Sequence, residues 1–208
     1  KSCVIKAPTG SGKTIILASI LNSLKGYTGL VFFNKKQLLY QTYKFLTEHG
    51  IECGMAFGDG VDIKPITLCT IQSIDKVIDS HLTSSEFIVF DEIHEFSKGK
   101  VASKVLKSFP NACIRIGMSA TPPTDKFSKL SLGSFLGKQI EYVTAEDLVN
   151  EGYLTPPSIE VIETPEKDGV EYSTMSYPEI YEYYIIKNTT RNDFVAKICK
   201  NINSKHAK

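Results

Sequence analysis

Several things are scarce in this sequence, and each scarcity narrows what the chain can do. Net charge is nearly missing: 24 Lys and Arg stand against 23 Asp and Glu, leaving +1 over 208 residues. A polyanion would have to be gripped by local features, because there is no global basic field. The five cysteines, Cys3, Cys53, Cys69, Cys113 and Cys199, form no CxxC pair, and three of them sit inside apolar runs. They read as reduced, buried thiols rather than metal ligands or disulfides, in a reducing compartment such as the cytoplasm. No apolar run approaches the ~20 residues of a membrane span, so no membrane partner is expected. No signal peptide, internal repeat or low-complexity tract is visible. The chain opens two residues before an apolar strand, and further sequence upstream is expected. At 42% hydrophobic, it can bury one good core and is not a disordered chain.

What is present is an alternation of short apolar runs and amphipathic stretches, the pattern of βαβ units. Strands are predicted over 3–7, 30–33, 51–57, 66–69, 87–90 and 113–118. Helices are predicted over 13–24, from an Asn34 N-cap through Leu46 with His49-Gly50 as the stop, and over 71–78 and 100–109. The pattern predicts an α/β domain with a central, mainly parallel sheet flanked by helices on both faces. From about Thr124 the texture changes. Residues 124–137 read as helical in pieces, 145–151 as a short helix broken by Gly152, and 158–163 as a strand. Residues 164–178 read as an exposed connection, followed by helices over 179–186 and 191–202.

Between the first strand and first helix lies Ala7-Pro8-Thr9-Gly10-Ser11-Gly12-Lys13-Thr14. The spacing Gly/Ala-x4-Gly-Lys-Thr in that setting is a phosphate loop. Small residues let backbone N–H groups converge on phosphate oxygens, and the helix dipole favours the anion. Lys13 would reach the β- and γ-phosphates, and the Thr14 hydroxyl would ligate Mg²⁺, which implies ATP with Mg²⁺ as cofactors. The competing reading is a glycine-rich turn with a surface lysine. Asp91-Glu92-Ile93-His94 follows the apolar strand 87–90 directly. Ligands gather at the carboxyl ends of parallel strands, which would set Asp91 beside the loop as a second Mg²⁺ ligand. Glu92 is placed to orient or deprotonate an attacking water. Glu95 reads as merely solvated.

At Ser119-Ala120-Thr121-Pro122 the order phosphate loop, DExH, SAT becomes specific. It resembles the first RecA-like domain of a superfamily 2 helicase or translocase, and Ala7 in place of the first glycine is that family's habit. The resemblance implies that Ser119 and Thr121 bond to the DExH residues, His94 included, and couple hydrolysis to movement. Two more segments resemble the family's nucleic-acid elements: Asn34-Lys35 through Gln41, and Thr70-Ile71-Gln72-Ser73. Asn34, Lys35, Gln41, Thr70, Gln72 and Ser73 are then implied contacts to a phosphate backbone, independent of base sequence. Phe32 and Phe33 read as core rather than stacking residues. The helix leading into Glu151-Gly152-Tyr153-Leu154 and a proline is similar to the XPB, RadD and UvsW-like group and to restriction-enzyme motor subunits, which act mainly on duplex or branched DNA.

The resemblance implies residues 1–157 as the first RecA-like domain, and 158–208 as an exit strand, connection and helices leading toward a second RecA-like domain. That second domain would supply arginines to the ATP site; alone, this chain is expected to bind ATP weakly, hydrolyse it slowly and not unwind. The alternatives are a DExH RNA helicase, a P-loop kinase or metabolic NTPase, and a non-catalytic scaffold. The compact, Lys/Asn/Ile-rich texture is compatible with a phage or viral source, which would place the protein in a host's cytoplasm.

Overall fold

The computed structural model describes residues 2–79, 84–96, 104–105, 107–164 and 175–206. The chain divides into two compact units, Lys1–Pro156 and Pro157–Lys208. The first unit holds strands β1 (Cys3–Lys6), β2 (Gly29–Phe33), β3 (Gly54–Phe57), β4 (Gly60–Asp62), β5 (Ile66–Thr70), β6 (Phe87–Asp91), β7 (Ile114–Ser119) and β8 (Lys138–Ile140). Its helices are α1 (Lys13–Ser23), α2 (Lys36–Glu48), α3 (Ile74–Asp79), α4 (Lys126–Leu136) and α5 (Ala145–Asn150). The second unit holds α6 (Tyr177–Tyr181), a π turn over Glu182–Ile186, and α7 (Thr189–His206).

The strands form one eight-stranded sheet in the order β4-β3-β5-β2-β6-β7-β1-β8. Every pairing is parallel except β3 with β4. Side chains alternate across a strand, so each central strand feeds two cores. Leu30, Phe32, Ile88 and Phe90 join Val105, Phe109, Leu132 and Leu136 on one face. Val31, Phe33, Phe87 and Val89 join Leu17 and Leu21 of α1 and Leu39 and Leu46 of α2 on the other. Helices therefore cover both faces, which is why β2 and β5 are buried at every position. Each such Phe or Leu contributes roughly 1.5–3 kcal/mol by leaving water.

Some local expectations change. After a bend at Asn34 the backbone is extended at Lys35 (φ −124°, ψ 135°), so α2 begins at Lys36 and Asn34 is not its N-cap. The first-turn bond runs from the Leu39 N–H to the Lys35 carbonyl at 3.2 Å. Within residues 124–137 one continuous helix, Lys126–Leu136, forms; the Asp125 carboxylate accepts from the Ser128 N–H at 2.9 Å and caps it. The short edge strands β4 and β8 were not expected. The strand expected over 158–163 does not form, and Ile159 and Val161 are 86% and 89% exposed. An alternating run makes a strand only where a sheet edge receives its N–H and C=O groups. Of the helix expected over 100–109, residues 104–105 and 107–108 are helical and the rest lie outside the described residues or beyond its end. Most of the connection expected over 164–178 also lies outside them. Among the described residues no helix is long and apolar enough to cross a membrane.

Candidate active site

β1 ends at Lys6 and the chain turns through the loop 7–14 into α1. Two backbone positions there need glycine: Gly10 (φ 82°) and Gly12 (φ 80°) both lie in the left-handed region. Gly12 caps α1 and accepts from the N–H groups of Ile15 and Ile16 at 2.8 and 3.0 Å. No side chain caps α1, and its first turn carries no acidic residue. Its amino-terminal N–H groups and positive dipole end are thus left for an anion. The loop is anchored at its root, where the N–H of buried Ala7 donates to the Ser119 carbonyl at 3.0 Å.

The parallel sheet fixes what faces this loop. β7 lies between β1 and β6, so Ser119, at the end of β7, sits between the loop and Asp91, at the end of β6. Just beyond Asp91, Glu92 adopts a positive φ of 53°, which non-glycine residues rarely do. That turn sends its carboxylate to two partners. Glu92 Oε1 lies 3.8 Å from Lys13 Nζ, and Oε2 lies 3.4 Å from His94 Nδ1. His94 Nδ1 is 2.8 Å from the hydroxyl of fully buried Ser119. The same hydroxyl accepts from the Thr121 N–H at 3.0 Å. A continuous relay, Lys13–Glu92–His94–Ser119–Thr121, therefore links β1, β6 and β7. Burial pushes the Asp91 carboxyl above its usual range; the adjacent Glu92 charge adds to the rise and Lys13 opposes it.

Two expectations are corrected here. Thr121 joins the relay through its backbone N–H, and the residue itself is exposed. Glu95 is not merely solvated: its Oε1 lies 3.5 Å from His94 Nε2, so the imidazole has a carboxylate on each nitrogen. A further contact had no signal in the sequence. Leu154 Cδ2 would stand 2.7 Å from a Cβ on Gly10.

Of the nucleic-acid candidates, Asn34, Lys35, Thr70, Gln72 and Ser73 lie on the same rim, at the ends of β2 and β5, where Phe33 pairs with Thr70, and Gln41 lies along α2. Lys35, Gln41 and Gln72 are exposed and Asn34 is half-buried. Thr70 and Ser73 are not available in the way expected. Both are buried, and their hydroxyls bond each other at 3.0 Å across the turn Ile71–Ser73. Their side chains hold the turn together. Phe32 and Phe33 are fully buried core residues.

The residues present fit a nucleotide's phosphates. Among the described residues the Ser11 hydroxyl is buried without a hydrogen-bond partner, between Gly10 and Gly12 with their positive φ. Thr14 and Asp91 offer Mg²⁺ a hydroxyl and one carboxylate. Among the described residues no group of three or more His, Cys, Asp or Glu is arranged to hold a metal ion by itself. Few carboxylates suit Mg²⁺, which keeps waters and phosphate oxygens. A cleft of about 430 Å³, lined by Leu21, Tyr27, Ile51 and Pro65, lies at the opposite, amino ends of the strands, away from this chemistry. Cys53 and Cys69 are buried, and burial pushes Cys53 up to about 11. Cys113 and Cys199 are exposed, against expectation.

A phosphate loop and an acidic strand end, set on one rim with a hydroxyl-bearing strand between them, define a P-loop domain of RecA-like build. The family model described as "Type III restriction enzyme, res subunit" matches residues 1–124, and the chain belongs to that family of superfamily 2 helicase domains. It is 32% identical over 142 residues to the ATP-dependent DNA helicase Hel308 of Aeropyrum pernix, covering 59% of this chain and 19% of that protein. It resembles the crystal structure of the UvsW helicase from bacteriophage T4, with a TM-score of 0.58 at 16% identity, over 68% of this chain and 54% of that one. The Pyrococcus furiosus Hef helicase domain superposes with a TM-score of 0.55 at 21% identity, over 67% of this chain and 35% of that one. The chain spans under a third of the length of the curated relatives it matches.

Proposed function

We propose that this chain is the ATP-binding first motor domain of a DNA helicase or translocase that works on duplex or branched DNA in recombination, repair or replication. The observation that carries the proposal is the relay from Lys13 through Glu92 and His94 to Ser119. It ties the phosphate loop to two other strands of the sheet. In this reading the loop amides and Lys13 hold the β- and γ-phosphates, with Thr14 and Asp91 the protein ligands of Mg²⁺. Bound there, the ion would neutralise phosphate charge. Glu92 orients the attacking water and takes its proton on a carboxylate oxygen. His94 positions Glu92 through Oε2, and Ser119 fixes His94. Asn34, Lys35, Gln41 and Gln72, with the backbone after Thr70, would hold a phosphate backbone along the neighbouring strands. A second RecA-like domain is proposed to close the ATP site with arginines, each worth up to ~10³–10⁵ in rate. The naming of Hel308 as a DNA helicase supports DNA as the substrate class.

The test uses the longer protein that carries this chain. Lys13→Ala should abolish ATP hydrolysis and leave the melting temperature unchanged; retained hydrolysis refutes the motor reading. ATPase stimulation by duplex DNA, forked DNA and RNA should rank forked or duplex DNA first, and preferential stimulation by RNA would replace DNA by RNA as the substrate.

A further inference from the structure

α5 is short, exposed and yet closed at both ends. It buries none of its residues. At its start Thr144 and Asp147 form a reciprocal cap, with the Thr144 N–H donating to Asp147 Oδ2 at 2.8 Å and the Asp147 N–H donating to Thr144 Oγ1 at 3.1 Å. At its end Gly152 takes a positive φ of 78°, and the N–H groups of Tyr153 and Leu154 both donate to the Leu148 carbonyl, at 2.9 and 3.0 Å. Two caps on a helix without a buried face do little for a core. What they fix is the backbone of Leu154, and the Leu154 side chain is the group lying where a Cβ of Gly10 would be, 2.7 Å away. Gly10 is itself exposed at the tip of the phosphate loop. It is therefore bound to glycine twice over, by its φ of 82° and by Leu154.

We infer that Leu154, presented by the capped helix α5, is a positioning residue that buttresses the tip of the phosphate loop and holds it in its anion-binding form. The inference rests on the nucleotide reading above. A loop tip with no support samples other conformations, and apparent affinity falls with the fraction of molecules in the competent form. Leu154 would act through the loop backbone at Gly10.

The 208-residue chain is purified as wild type, Leu154→Ala and Leu154→Met. Amide hydrogen exchange at Gly10 to Gly12 is measured without ligand, and MgADP and MgATP binding by calorimetry. Leu154→Ala should speed loop exchange and weaken both nucleotides about tenfold, the loss expected if about a tenth of the molecules keep the competent loop. Leu154→Met, which restores length and apolar volume, should return both to near wild type. A merely structural role would lower the melting temperature and leave loop exchange and affinity in the folded population unchanged, and that result overturns the inference. Unchanged exchange at Gly10 to Gly12 in Leu154→Ala overturns it as well, whatever binds. If the wild type binds neither nucleotide, the nucleotide reading fails, while the ligand-free exchange data still decide whether Leu154 orders the loop.

Discussion

At Glu92 the backbone enters the left-handed region, which costs a residue with a Cβ roughly 1–2 kcal/mol. The fold sustains it because β6 on one side and the buried Ile93 on the other fix the turn. The strained turn is what sets the carboxylate between Lys13 and His94. Glu92→Gln in the full protein should keep MgATP affinity within a few-fold and cut single-turnover hydrolysis by about 10²-fold or more. Equal losses in binding and turnover would show that the side chain only holds Lys13. One position earlier, Asp91 carries the opposite kind of cost. Its raised carboxyl pKa means the folded chain binds that proton more tightly than the unfolded one. Stability is therefore lost as pH rises through the raised value, and remains lost at neutrality. Asp91→Asn should melt higher than wild type at pH 7, by about 2–4 °C per kcal/mol regained, with the advantage shrinking toward about pH 4. The same variant should lose Mg²⁺-dependent nucleotide binding. Thermal melts across pH with parallel calorimetry check both halves.

Among the elements, β7 does more than fill a place in the sheet. A Cβ on Gly117 would meet Leu136 Cδ1 at 2.8 Å and Ile93 Cγ1 at 2.9 Å, so the glycine lets α4 and the turn 93–96 close over the strand. That turn carries His94, whose Nδ1 lies 2.8 Å from the Ser119 hydroxyl at the end of β7. Gly117→Ala should cost about 1–3 kcal/mol through overpacking. It should also slow hydrolysis beyond what Ser119 and His94 would lose by unfolding alone. Chemical denaturation and ATPase assays on the folded fraction separate the two. The long buried strands were legible in the sequence because parallel strands covered on both faces are near-continuous apolar runs, as in Leu30–Phe33 and Phe87–Phe90. The short edge strands β4 and β8 were not, since three residues carry too little period to register. The pattern over 158–163 misled for the converse reason: periodicity reports a face to bury, not a neighbour to pair with. The N-cap at Lys35 rather than Asn34 reflects a bend at Asn34 between β2 and α2, which the residue types alone do not specify.

For the molecule as a whole, a net charge of +1 would leave the proposed nucleic-acid binding to a few local groups. Salt dependence reads the number of neutralised phosphates directly. With Lys35 and the rim of β2 and β5 as the track, the logarithm of DNA affinity should fall with log salt at a slope of only about −2 to −3, for roughly two to three phosphates on this chain. A slope near −8 would mean a basic surface outside the track described here. What the sequence determined alone was the chemistry: the phosphate loop, Asp91, Glu92 and the Ser119-Ala120-Thr121 segment are recognisable because backbone conformation, charge and spacing are local properties. What the tertiary structure alone decided was which partners those groups meet. The order β6-β7-β1 puts Ser119 between Asp91 and the loop. The turn at Glu92 joins Lys13 to His94, Glu95 gains a partner, and Thr70 and Ser73 are drawn inward. Leu154, 144 positions from Gly10 along the chain, is brought against it by a capped helix. Distances of that kind depend on how separate strands and helices pack, and no stretch of sequence records them.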